Sequence, residues 1–131
     1  MEEEIYVKKL PKLSNDGIFE LKTKLHNKEL LTSEQVCQLL EAKKIGKANY
    51  TISAMKNIIE NRPDKIQVVS DIFNKFCNIE YENGKFYIFV RAGEMPFRIR
   101  IGLIKMSNEI NRNKRNKNKL ENKQILDDLQ K

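Results

Sequence analysis

The side chains in this chain that offer chemistry are cations and amides. Five of its six arginines, Arg91, Arg98, Arg100, Arg112 and Arg115, fall within one window. The run over residues 112–119 carries Arg112, Lys114, Arg115, Lys117 and Lys119 with neither an acid nor an apolar residue among them. Such a segment can neutralise phosphates and release their counterions, a non-specific and salt-sensitive mode of binding. Lysine is abundant too, but Lys, Asn and Ile share AT-rich codons, so the arginine clustering is the more telling signal. A solvated charge run is the bland alternative for residues 112–119. A second group, Tyr50, Thr51, Ser53, Lys56 and Asn57, has the spacing of one outward helix face, where asparagine can pair with adenine. Lys43, Lys44 and Lys47 just before it would hold phosphates.

Catalytic chemistry has little to stand on. His26 is the only histidine, so a nucleophile–base pair would rest on one unsupported residue. There is no phosphate-binding glycine loop and no metal-ligand spacing. Pro63-Asp64 with Glu80, Glu82 and Lys85 lacks the Glu-x-Lys strand of a restriction-type nuclease. The sequence therefore predicts no enzyme, no metal and no cofactor. Cys37 and Cys77 sit at or beside apolar helix positions, where a free thiol behaves as a small hydrophobe, and a reduced, cytoplasmic setting is expected. The opening Met1-Glu2-Glu3-Glu4 is unlike a basic signal-peptide start. No apolar run reaches the roughly 18 residues of a membrane span, so no membrane partner is expected.

The 131 residues carry a net charge of +7, with 33% charged and 40% hydrophobic residues. This composition suits a single soluble domain with a polyanionic partner. The positive charge is concentrated late: residues 105–131 hold 8 basic and 4 acidic groups, whereas residues 1–31 are balanced at 6 and 6. A globular domain over residues 1–106 and a basic helix or tail over 107–131 are expected.

Elements must position these groups. Residues 5–10 form a short β-prone run stopped by Pro11. Ile18, Leu21 and Leu25 have helical spacing, which predicts a helix over residues 18–27. Thr32 and Gln35 fit a capping box opening a helix over residues 32–44, with Val36, Leu39 and Leu40 as its buried stripe. Gly46 would end that helix, residues 45–48 would turn, and a helix over residues 49–60 would bury Ile52, Met55, Ile58 and Ile59. Residues 64–77 are the most regular helix, with Ile66, Val69, Phe73 and Phe76 broadened by Val68 and Ile72. The period then changes to two. Asn83-Gly84 signals a hairpin, and Phe97, Ile99 and Ile101 alternate with Arg98 and Arg100 as a third strand would.

Helix, glycine-bearing turn and polar-faced helix outline a helix-turn-helix. Ala42, Gly46 and Ile52 satisfy its pattern, while Glu41 and Lys47 stand where it wants apolar residues. The competing reading is an ordinary helical hairpin. The three strands would add a wing, with Arg91, Arg98 and Arg100 touching phosphate or paired with Glu80 and Glu82. The expected fold is thus α+β and winged-helix-like: three to four helices, a three-stranded antiparallel meander and a basic C-terminal helix or tail. The expected function is duplex-DNA binding, as a transcription regulator or a replication or partition accessory, with the arginine-rich C-terminal third holding the partner. A homodimer fits if Leu120, Ile125, Leu126 and Leu129 form an apolar seam. The alternative class is a small inhibitor or adaptor of mobile-element type, its basic surface set against an acidic protein.

Overall fold

The computed structural model describes residues 10–42, 45–46 and 50–129, the side chains of 45–46 and 118–129 excepted. The β-prone residues 5–9, Lys43, Lys44, Lys47 and Asn49 lie outside the described residues, as do the side chains of Lys119, Leu120, Ile125, Leu126 and Leu129. The architecture is α+β. In chain order it comprises α1 (Asn15–His26), α2 (Ser33–Glu41), β1 (Ile45–Gly46) and α3 (Tyr50–Asn61). A 3-10 turn (Pro63–Lys65) leads into α4 (Ile66–Phe76), then β2 (Cys77–Glu82), β3 (Lys85–Val90) and α5 (Phe97–Leu129).

Local chemistry fixes the first helices. The Ser14 hydroxyl accepts from Gly17 N at 3.1 Å, and Ile18, Leu21 and Leu25 form the buried stripe of α1. The capping box of α2 is complete: Gln35 N donates to Thr32 Oγ1 at 3.1 Å, and Thr32 N donates to Gln35 Oε1 at 2.9 Å. Two of the otherwise orphaned first-turn donors are satisfied this way. The loop between α1 and α2 is tied down by Asn74 of α4, which accepts from Leu31 N at 2.8 Å and donates to Leu31 O at 2.9 Å. One amide thus serves the backbone of Leu31 as a neighbouring strand would.

The core lies where α2, α3, α4 and the hairpin converge. Val36, Leu39, Met55, Ile58, Val69, Phe73 and Phe86 are all at most 2% exposed. The hairpin follows the expected register, Ile79 opposite Ile88 and Glu82 opposite Lys85. Asn83 (φ 52°) and Gly84 (φ 78°) both adopt the left-handed backbone that a two-residue turn of matching twist requires. Phe19 of α1 packs on this hairpin, its ring 4.8 Å from Tyr81 and 4.7 Å from Phe86.

Three expectations fail. Residues 45–46, expected in a tight turn, are a strand: α2 ends at Glu41, Ala42 is extended, and Ile45–Gly46 form β1, paired in parallel with Phe86 and Tyr87. Gly46 is therefore a strand residue and not a helix cap. The third meander strand is also absent, because residues 97–101 form the first turns of α5, where Ile99 N and Arg100 N donate to Pro96 O. The alternation of Phe97, Ile99 and Ile101 ends within five residues. Leu103, Ser107 and Ile110 continue at helical spacing and are buried. Moreover β3 is already flanked by β2 and β1, which leaves it no edge for a third antiparallel strand. Thirdly, Val68, expected to broaden the apolar face of α4, is 49% exposed. The described residues form five α-helices, and α5 runs unbroken past residue 107.

Both cysteines are free and buried. Burial, with the nearby Glu41 and Glu34 carboxylates, pushes the Cys37 thiol up to about 11. Burial pushes Cys77 up to about 12 against the opposing pull of Arg91. The thiols stay protonated in the fold while those of an unfolded chain ionise near 9.0. The stability they contribute is complete below that value and is lost as pH rises through about 11 and about 12. Within this window each adds a slope of about 1.4 kcal/mol per pH unit. A disulfide-type thiol reagent at about pH 8 is expected to find neither cysteine in the native protein and both in denaturant. Rapid labelling of the native protein would contradict their burial.

Candidate nucleic-acid interface

The predicted outward face of α3 is divided by the fold. Tyr50, Ser53 and Lys56 are exposed, Tyr50 by 88%, but Thr51 is only 2% exposed. Asn57 is drawn into contact with α5. Its Nδ2 lies 2.9 Å from Ser107 Oγ, 3.2 Å from Ser107 O and 3.2 Å from Asn111 Oδ1, and its own Oδ1 accepts from Asn61 Nδ2 at 2.9 Å. The amide of Asn57, expected to face adenine, is in this fold engaged with Ser107, Asn111 and Asn61. The physical reason is α5. A strand over residues 97–101 would leave no helix to cover this side of α3, yet α5 packs along it more extensively than on any other helix.

Asn57→Ala is expected to leave the buried Ser107 groups short of a partner. It should lower stability by about 1–3 kcal/mol and shift the urea midpoint accordingly. An unchanged midpoint would show that the amide cluster does not fasten α5.

The arginines also part company. Arg91 is structural: its backbone N donates to Phe76 O at 2.8 Å and its Nη2 donates to Lys75 O. It caps the C-terminal carbonyls of α4, where a cation is favoured by the helix dipole. Its Nε lies 2.9 Å from Glu94 Oε2 without hydrogen-bond alignment, a charge contact only. Arg91 is thus engaged within the fold through its backbone N and Nη2. Arg98 and Arg100 stand in the first turn of α5, so the expected cross-strand ladder with Glu80 and Glu82 does not exist; those glutamates sit opposite Tyr87 and Lys85. Arg62, the sixth arginine, forms a two-pronged pair with Asp64 at 3.0 and 2.8 Å.

What remains together is α5. Residues 97–117 carry seven cations (Arg98, Arg100, Lys105, Arg112, Lys114, Arg115, Lys117) against Glu109 alone, a net +6. After Ile110 the helix leaves the core, and residues 111–117 are exposed on every side. Because each residue turns about 100°, Arg112, Lys114, Arg115 and Lys117 surround the axis instead of forming one stripe. By contrast α4 and the hairpin, residues 66–90, carry Lys75 and Lys85 against Asp71, Glu80 and Glu82, a net −1.

Electrostatically this assembly can attract and hold polyanions along α5. His26 is exposed at the end of α1. Among the described residues no group of three or more His, Cys, Asp or Glu is placed to hold a metal, and no helix is long and apolar enough to cross a membrane. Sequence reasoning missed Asn108 and Asn111, which stand beside α3 on the face of α5 that continues to Arg115. Their i, i+3, i+7 spacing was the available signal, hidden by reading residue 107 as the start of a loose segment. No family model matches the chain, and neither a curated protein nor a solved structure matches it.

Proposed function

We propose that this protein binds duplex DNA, gripping phosphates chiefly through α5, as a transcription regulator or an accessory of replication or partition. One observation carries the reading: residues 97–117 hold a net +6 of the chain's total +7, on a helix whose residues 111–117 are all exposed. A helix of this kind fits the roughly 12 Å-wide major groove, where phosphates flank it on both sides. Cations all round the axis serve both flanks at once. From Asn111 to Leu129 it extends about 28 Å at 1.5 Å per residue.

The finer reading is winged-helix-like. The order α3, α4, hairpin, with β1 before it, resembles that arrangement, in which the last helix and the hairpin face DNA. Here that face is net negative, so the phosphate grip falls to α5 and the helices serve as its platform. Exposed Lys56 on α3 adds one cation nearby. Contacts of this type position the protein without reading sequence.

Titration of a labelled duplex at two salt concentrations tests the reading. Four phosphates neutralised by α5 give a slope of about −3.6 in log affinity against log salt, or roughly a 150-fold loss between ~50 and ~200 mM. No binding near ~10 μM at low salt would contradict it, since even non-specific DNA binders reach micromolar affinity.

A further inference from the structure

Between α3 and α5 lies a half-open cleft of about 240 Å³. Tyr50 and Ser53 form one wall, Asn108 and Asn111 the other, and Ala54 and Ile104 add apolar surface. We infer that this cleft is a binding pocket for a single unpaired nucleobase, next to the phosphate grip of α5. The inference rests on the proposed DNA binding and deepens it by naming the form of DNA preferred.

Four observations converge. The first is size: clefts enclosing drug-sized ligands run from roughly 300 to 1,000 Å³, so this one holds a fragment no larger than one base or one side chain. The second is the aromatic wall. Tyr50 is 88% exposed, which leaves its ring accessible for a base to stack on. Base–aromatic stacking is tolerant of sequence because every base has a π-face.

The third is the state of the amides. Asn57 is consumed by Ser107, Asn111 and Asn61, which fixes the floor. Asn111 Oδ1 is engaged by Asn57, while its Nδ2 has no hydrogen-bond partner among the described residues. Asn108 has no hydrogen-bond partner among the described residues, leaving a paired donor and acceptor free. That pair is the pattern asparagine presents to the N6/N7 edge of adenine. The fourth is charge: Arg112 and Arg115 follow on α5, four residues beyond Asn108 and Asn111 respectively, and are exposed. They stand where the phosphates on either side of a seated base would run.

Geometry decides between paired and unpaired bases. The base edges of an intact duplex lie at the bottom of a groove about 8.5 Å deep. The free amide of Asn108 and the Nδ2 of Asn111 likewise line a recess. Two recesses cannot meet, whereas a base projecting from a single strand or a duplex end can enter. The protein would therefore favour DNA in which a duplex adjoins unpaired nucleotides.

Two labelled duplexes test this, one blunt and one with a short overhang carrying the fluorescent adenine analogue 2-aminopurine. The overhang duplex should bind at least about fivefold more tightly, with the analogue's emission changing as it stacks. Tyr50→Ala should weaken overhang binding by about 5- to 150-fold more than blunt binding, as loss of one stacked base implies. Tyr50→Phe should restore it, and Asn108→Ala should reduce the overhang preference. Tyr50 is so exposed that its replacement leaves the core intact, which circular dichroism would verify. Equal affinity for the two duplexes, or a Tyr50→Ala effect common to both, would overturn the pocket while leaving DNA binding by α5 standing. Absence of binding to either duplex would overturn the grip and the pocket together.

Discussion

Phe73→Ala is expected to destabilise the fold by about 3–5 kcal/mol, the range for removing a large aromatic side chain from a tightly packed site. Phe73 is 0% exposed and sits on α4, which touches α2, α3 and β2. A void at such a site is bounded by four elements and cannot collapse without moving one of them, so the cavity penalty adds to the lost transfer energy. Domains of this size hold only about 5–15 kcal/mol in total. The variant should therefore unfold at a much lower urea concentration with little change in the slope of the transition. A cost below about 1 kcal/mol would mean that α4 is not the central core helix.

The second large effect concerns α5. Replacing Arg112, Lys114, Arg115 and Lys117 together by Gln is expected to weaken duplex binding by at least about 10²-fold at low salt, the loss of four neutralised phosphates. Gln matches Lys and Arg in helix propensity, and all four positions are exposed, so the fold should be untouched. The matched control is Lys75→Gln with Lys85→Gln, on the net-negative face of α4 and the hairpin. Removing two cations there should change affinity by less than about threefold. The reverse ranking would place the DNA on the winged-helix face and make α5 a scaffold.

Much of this fold could be read locally. The capping box of α2, the stripes of α1 and α4, and the Asn83-Gly84 hairpin are each specified within about ten residues, and each stands where the sequence places it except for Val68 of α4, which is exposed. The errors share one cause, which is pairing at a distance. Gly46 resembles a helix cap because nothing near it reveals that residues 45–46 pair with residues 86–87. Phe97, Ile99 and Ile101 alternate like a strand, and only the later Leu103, Ser107 and Ile110 expose the helical period.

The candidate interface suffers from the same displacement. Asn57 reads as free in the sequence because its partners, Ser107 and Asn111, lie 50 and 54 residues away. Arg91 reads as a phosphate ligand because its attachment to the end of α4 is a tertiary contact. The charge distribution, by contrast, is a property of sequence alone. The net positive charge beyond Arg98 is legible in the order of the residues, and it is the feature that carries the proposed DNA binding.

The grip of α5 on DNA is tested most directly by the salt dependence of duplex affinity, measured in parallel for the wild-type protein and the four-glutamine variant of α5. The slope of log affinity against log salt counts the phosphates each protein neutralises. At equal folded stability, the variant's slope should be shallower by about 3–4. Identical slopes for the two proteins would show that α5 does not hold the DNA.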